Sequence, residues 1–164
     1  MKFCSKCGQQ VNDDAVICVH CGCKIPGAQT APVGQLSTNR GLIKYILLSI
    51  LTFGIYGLVV MSAISTDINT IASRYDGKKT MHYCLVVFIF AALTFGIVPL
   101  VWGHNISKRI GNELSRRGVD YSFSAGTYWG WGILGSFIVI GPLVYFHKLF
   151  KAMNLLCEHY NVNG

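Results

Sequence analysis

Three long segments without a charged residue restrict what this chain can fold into more than any other feature. They cover residues 45–66, 80–107 and 121–146, which are 22, 28 and 26 residues long. A hydrocarbon core of about 30 Å takes roughly 20 residues of helix, so each segment is long enough to cross it. Only 13% of the 164 residues are charged, which leaves too little polar surface to cover three such helices in water. We therefore expect an all-α, multi-pass membrane domain over 42–164, with spans at about 42–66, 81–105 and 125–148.

The membrane region is internally repeated. A Leu-Thr-Phe-Gly-Ile block at 51–55 recurs at 93–97, and Pro-Leu-Val at 99–101 recurs at 142–144. Each copy is followed by apolar residues at helical spacing, which predicts an amphipathic helix. We therefore predict about three repeated helical units, each an apolar helix continued by an amphipathic one. The three apolar stripes contain Ile64, Ile68, Ile71, Ala72 and Tyr75; Ile106, Ile110 and Leu114; and Leu149, Met153, Leu156, Cys157 and Tyr160.

Glycine and proline fall at corresponding places inside the three apolar windows. They are Gly54 with Gly57, Gly96 with Pro99, and Gly141 with Pro142. Both residue types are tolerated in membrane helices, where they produce kinks. The alternative is that they break each window into a re-entrant hairpin or a discontinuous helix. The sequence leaves these two interpretations open.

The first 24 residues carry two Cys-x-x-Cys pairs, each followed by glycine. Four thiolates on two tight turns form a tetrahedral cage, which predicts a zinc ribbon holding one structural Zn²⁺. All four positions are then filled by protein sulfur, so catalysis at the metal is not expected. His20 and Cys23 lie close enough in sequence to compete as ligands, but we expect both to be bystanders. The expected ligands are Cys4, Cys7, Cys18 and Cys21.

The charge of this head argues against nucleic-acid binding. Three lysines, two aspartates, four thiolates and one Zn²⁺ leave it close to neutral, whereas nucleic-acid binding depends on neutralising phosphates. We instead expect an unknown protein partner. The expected contact surface is Phe3, Gln9, Val11, Val19 and His20. Residues 25–41, rich in Pro, Gly, Ala and Gln, are expected to form a flexible linker.

The expected location is the cell membrane, with the zinc ribbon in the cytoplasm. Three spans would place nine Lys and Arg residues on the ribbon's side and five on the other. Reduced cysteines favour the same side. Re-entrant hairpins would put every basic segment in the cytoplasm.

Few polar residues in the apolar windows are candidates for a role. His104 is the membrane polar candidate, because ionisable residues in membrane segments are often functional. The alternative interpretation is that His104 is a histidine at the membrane interface with no functional role. Cys84 and Cys157 are interpreted as small hydrophobic residues.

Both parts of the chain resemble known families. The ribbon, with its two Cys-x-x-Cys-Gly motifs, is similar to the short zinc-ribbon domain of many bacterial membrane proteins. The block at 51–57, Asp67-Ile68-Asn69, and the related copies at 93–97 and 153–154 resemble domain of unknown function 4234. The resemblance implies an architecture and brings no established activity.

The preferred functional hypothesis is a non-enzymatic membrane protein. Its ribbon would act as a protein-interaction or sensing module, and its repeats as an anchor and possible homo-oligomer scaffold. No paired carboxylates lie in any window, and no phosphate-binding loop is present, so an enzyme is not expected. The alternative is a transport or lipid-handling protein with the ribbon as a regulatory head.

Overall fold

The computed structural model describes residues 2–4, 6–11, 18, 20–23 and 35–164. The chain divides into two compact units, one of residues 1–35 together with 159–164 and the other of residues 36–158. The described residues are mostly helical. Most of the predicted linker, 25–34, lies outside the described residues. Its last part, from residue 36, belongs to the helical unit.

The N-terminal unit contains a two-stranded antiparallel sheet. Strands β1 (Lys2–Phe3) and β2 (Gln10–Val11) pair with Lys2 opposite Val11. Two similar turns follow the pattern Cys-x-x-Cys-Gly. In the first, the Gly8 N–H donates to the Cys4 carbonyl at 2.9 Å, and in the second, the Gly22 N–H donates to the Cys18 carbonyl at 2.8 Å. Both glycines have a φ near +70°, which only glycine adopts at low cost.

The unit of residues 36–158 is built from three helical hairpins. The first joins α1 (Leu42–Leu51) to α2 (Ile55–Asp76), and the second joins α3 (Tyr83–Leu93, with a π-helical stretch at Val86–Phe90) to α4 (Ile97–Arg116). In the third, α5 runs over 125–137, with a π-helical part at Tyr128–Ile133 and a 3-10 turn at Leu134–Phe137. It leads into α6 (Ile140–Asn163). A short helix is thus followed by a long one three times.

The windows predicted as spans, 42–66, 81–105 and 125–148, each contain two helices joined by a tight turn, and none of them is one continuous helix. Gly57 of α2 packs on α1, where a Cβ atom would lie 3.2 Å from the Tyr45 hydroxyl. The Trp102 indole of α4 donates to the Met81 carbonyl, just before α3, at 2.8 Å. Of the two interpretations that the sequence left open, the hairpin is the one found. One described helix, α2, is long and apolar enough to cross a membrane by length and composition.

The second halves of the long helices supply the core. Equivalent positions in the repeat are fully buried, as the three predicted apolar stripes require. Tyr75, predicted to end the first stripe, is the exception, because it is 57% exposed. The stripes therefore pack inside the protein rather than resting on a lipid surface. The equivalent sets are Ile64, Ile106 and Leu149; Ile68, Ile110 and Met153; and Ala72, Leu114 and Cys157.

The three hairpins close into a ring through equivalent contacts. The Asn69 side chain donates to the Thr80 carbonyl at 2.9 Å and accepts from the Thr80 N–H at 2.7 Å. Asn154 makes the same pair of hydrogen bonds to Arg40, at 2.8 and 3.2 Å. Gly111 occupies the matching position of the second repeat, where a Cβ atom would lie 2.3 Å from the Phe123 carbonyl oxygen. Each long helix thus holds the start of the next hairpin, and the third holds the start of the first.

Candidate functional site

Four cysteines of the N-terminal unit converge on one point. The Sγ atoms of Cys4, Cys7, Cys18 and Cys21 all lie within 4.8 Å of one another. Cys4 and Cys18 are buried, whereas Cys7 and Cys21 are exposed. The two Cys-x-x-Cys turns therefore place one inner and one outer thiol each around a common centre.

The spacing of these sulfur atoms fits a tetrahedral metal ion. A metal–sulfur bond of about 2.3 Å gives a tetrahedron edge of about 3.8 Å. The Cys4–Cys21 and Cys7–Cys18 sulfur atoms are each 3.6 Å apart. Four soft thiolates in this arrangement suit zinc or iron. The cluster can hold one metal ion with all its ligands supplied by protein.

Local hydrogen bonds prepare two of these cysteines to ionise. The backbone N–H of Cys7, then the Cys23 thiol, lower the pKa of Cys4 to about 6. The Cys23 side chain and backbone also lower the pKa of Cys21. A backbone hydrogen bond at Gln9 lowers the pKa of Cys7, but desolvation and the neighbouring thiols outweigh it and raise that pKa to about 12. Because a thiolate and not a thiol binds metal, the local contacts favour the metal-binding form at Cys4 and Cys21 but oppose it at Cys7.

Cys23 lies closer to the cluster than the sequence indicated. Its Sγ is 3.2 Å from that of Cys4 and 3.0 Å from that of Cys21. It was expected to be a bystander because the paired spacing leaves it out. His20 is exposed and is not part of the four-sulfur group.

The predicted contact surface of the head is partly corrected. Phe3 is 68% exposed, and Gln9 and His20 are exposed as well. Val11 is 5% exposed and belongs to a small core with Cys4 and Cys18, so its assignment to the surface is wrong. The strand pairing of β2 turns its side chain toward the sulfur atoms. Val19 lies outside the described residues.

The tips of the three hairpins expose phenylalanine. Phe53 and Phe95 are each 97% exposed, and Phe137, again 42 residues on, is 89% exposed. Phe53 and Phe95 also have φ values of 50° and 48°, a left-handed conformation that costs a non-glycine residue about 1–2 kcal/mol. The chain thus holds a large apolar side chain outward at a backbone position where glycine or asparagine would be less strained.

A hydroxyl side chain satisfies the backbone at each tip. Thr52 donates to the Leu48 carbonyl at 2.7 Å and accepts from the Tyr56 N–H at 2.9 Å. Thr94 donates to the Phe90 carbonyl at 2.6 Å and accepts from the Val98 N–H at 3.1 Å. These bonds pair groups at the end of one helix and the start of the next. They suit a turn surrounded by lipid, where unpaired backbone groups are costly.

Arg109 organises the polar end of the helical unit, a role that no sequence pattern predicted. Its side chain is 9% exposed and its donors are used within the protein. Nε donates to Asp76 at 2.7 Å, and the two Nη atoms donate to side chains and to the Lys78 carbonyl. The side-chain acceptors at the Nη atoms are Asn69, Ser73, Asp76 and Thr80. These partners lie 29 to 40 residues away in sequence, so no local pattern predicts them.

The remaining polar candidates have local partners. His104 accepts a hydrogen bond at Nδ1 from the Trp129 indole, 3.0 Å away, so it joins the second and third hairpins. Cys84 and Cys157 are free thiols, and Cys157 is buried. Cys84 contacts Ser62 at 3.3 Å, and Cys157 contacts Arg40 at 3.6 Å.

The fold and the cluster define a protein of repeated helical hairpins with an N-terminal four-cysteine module that could hold zinc. Residues 40–112 match the family model Domain of unknown function (DUF4234), the family that the repeated block resembles. The match covers the first two hairpins, up to Asn112 of α4. Comparisons with curated proteins and with solved structures give no match.

Proposed function

We propose that the three hairpins anchor this protein in one leaflet of the cell membrane, and that its zinc-bound head recruits a protein partner on the cytoplasmic side. The observation that best supports membrane anchoring is the exposure of a phenylalanine side chain at each of the three hairpin tips. A fully exposed apolar side chain at a strained backbone position has no benefit in water, whereas in lipid its transfer is favourable.

The length of the apolar hairpins matches half a bilayer. The ten residues of α1 measure about 15 Å, and Ile55 to Asp67 along α2 measures about 18 Å. A hydrocarbon core is about 30 Å thick, so the tips would reach its middle. Although α2 is long enough to cross, Asp67 forms a buried ion pair with Arg40 and keeps the rest of that helix out of lipid.

All charged residues of the helical unit lie toward the end opposite the tips. This end, the base, contains the segments 36–41, 77–82 and 117–124. Eleven of the chain's 14 Lys and Arg residues belong to this unit, and none lies at a tip. Basic residues flanking membrane segments are retained in the cytoplasm, which supports a cytoplasmic base. Reduced thiols in the head support the same side.

The head is proposed to use zinc for structure. So small a unit cannot bury a sufficient core, and a structural zinc ion contributes folding energy directly. With four sulfur ligands in place, no coordination position is left for a substrate, so we propose a non-enzymatic role. Phe3, Gln9 and His20 would form the contact surface.

Affinity purification of the full chain from its own membrane tests the role of the head. We expect Phe3→Ser with His20→Ala to lose co-purifying proteins while retaining one zinc per chain. Lys6→Ala, an exposed change on the first Cys-x-x-Cys turn, is the matched control and should lose neither. Unchanged co-purifying proteins in the double variant would contradict the recruitment role.

Transport or lipid handling is the second candidate. The glycines and prolines that suggested it lie in or next to the hairpin turns, and so they lend transport little support. A groove beside α4 supports lipid handling.

A further inference from the structure

A groove of about 780 Å³ lies between the 75–81 segment and one face of α4. Its volume falls in the range of sites that hold small organic ligands. All its lining residues belong to the first two hairpins, within the helical unit.

The groove changes from apolar to basic along its length. Val98, Val101 and Trp102 line it toward the tips, and Lys108 and Arg116 line it toward the base. Val98 and Lys108 are ten residues apart, which is about 15 Å along α4. The groove therefore extends from the depth of acyl chains to the depth of headgroups, if the hairpins insert as proposed above.

The basic end of the groove carries uncompensated charge. Arg109 pairs with Asp76 at 2.7 Å, and Arg116 pairs with Glu113 at 2.6 Å. Three exposed lysines remain in the lining, and within residues 35–164 none of them forms a salt bridge. They are Lys78, Lys79 and Lys108. This net charge of three positive groups fits an anionic ligand.

The segment that carries two of these lysines is held in place by the protein itself. Arg109 donates to the Lys78 carbonyl at 2.6 Å, and the Lys78 N–H donates to Asp76 at 2.9 Å. The N–H donors of Arg109 bond to this segment and to the end of α2. Arg109 is therefore a positioning residue that does not contact the ligand. The lysine side chains themselves stay available.

The groove does not follow from the repeat architecture alone. Tyr56 and Val60 of α2 correspond to Val98 and Trp102 of α4, and the cleft they line measures about 10 Å³. Tyr45 helps to close it, because its ring lies 5.1 Å from that of Phe146 and 5.0 Å from that of Phe150. The space beside these two positions is therefore open in the second repeat and nearly filled in the first.

We propose that the groove binds an anionic phospholipid of the leaflet that holds the hairpins. Its phosphate would lie among Lys78, Lys79 and Lys108, and an acyl chain would lie along Val98 and Trp102. This inference depends on the membrane anchoring proposed above. Basic pockets between membrane helices are a recognised mode of binding lipid headgroups.

Fluorescence quenching of Trp102 by brominated lipids tests the proposal on the full chain. Trp129→Phe with Trp131→Phe leaves Trp102 as the sole tryptophan. The protein is placed in phosphatidylcholine vesicles that contain either brominated phosphatidylglycerol or brominated phosphatidylcholine at equal mole fraction. We expect stronger quenching by the anionic lipid. Replacing the three groove lysines with glutamine should reduce this preference about ten- to hundredfold.

The matched control removes three charges from the same unit outside the groove, by Lys44→Gln, Arg74→Gln and Lys148→Gln, and should keep the preference. Equal quenching by both lipids, or an equal loss in the control, would overturn the lipid site while leaving the anchor intact. Loss of the preference when inorganic phosphate is added would show a site for free phosphate instead. If neither lipid quenches and the protein does not float with vesicles, the anchoring itself is wrong.

Discussion

Replacing the three tip phenylalanines by asparagine should release the protein from membranes. The residues are Phe53, Phe95 and Phe137, which are 97%, 97% and 89% exposed, so nearly their whole side chains are available to lipid. Burying one phenylalanine side chain is worth about 1.5–3 kcal/mol, which gives about 5–9 kcal/mol for three. At 1.4 kcal/mol per factor of ten, vesicle partitioning should fall by roughly three orders of magnitude or more.

Asparagine tolerates a positive φ better than phenylalanine does, so this change does not strain the turns. The assay is flotation with vesicles over a series of lipid concentrations. The matched control replaces the same residues by leucine, which keeps the apolar surface and, at Phe53 and Phe95, the strained backbone. Its partitioning should stay close to that of the parent. Parent-like partitioning of the asparagine variant, or an equal loss in the leucine variant, would refute the reasoning.

Three further predictions concern the base and the head. Arg109→Ala should lower the free energy of unfolding by about 2–4 kcal/mol, because a buried guanidinium is lost and its half-buried partners Asn69, Ser73 and Thr80 each lose a donor. Arg116→Ala, at a half-exposed ion pair, should cost less than about 1 kcal/mol, and equal denaturation midpoints for the two would contradict the Arg109 network. Burial raises the pKa of Glu113, but hydrogen bonds from two arginines outweigh it and hold the pKa below its ordinary value of 4.5. Its contribution to stability should therefore be complete above pH 4.5 and be lost as the pH falls through the lowered pKa, and Glu113→Gln should remove this component from a pH titration of stability. Cys7→Ser should reduce bound zinc, measured per chain after chelator challenge, whereas Cys23→Ser should retain it; the reverse order would put Cys23 among the ligands.

The four-cysteine cluster and the helical repeat were predictable because both are local patterns. Two Cys-x-x-Cys-Gly motifs specify two turns, and the glycines supply the backbone conformation that each turn needs. The buried stripes followed from helical spacing, since equivalent residues in three repeats must point the same way. The resemblance to the matched family rested on the same repeated block.

The hairpins could not be predicted with certainty from the sequence. An apolar window shows that a segment is hydrophobic, but it does not show whether the chain continues straight or turns back within it. Phe53 and Phe95 are unusual turn residues, and only their repetition with Thr and Gly gave a signal. The third turn was harder to find, since Ser136 replaces threonine and no glycine follows Phe137. Ser136 nevertheless donates to the Gly132 carbonyl, as the two threonines do at the equivalent positions.

The central claim is that the base of every hairpin lies on one side of the membrane. It is tested by single cysteines at Lys78 and Asp120, introduced into protein in which alanine replaces Cys84 and Cys157. Each single-cysteine variant is labelled from either face of sealed vesicles with a membrane-impermeant maleimide. The labelling of the protein without the added cysteine is subtracted. Hairpins in one leaflet predict that both positions react from the cytoplasmic face only. Labelling of the two positions from opposite faces would contradict the account and restore three crossings.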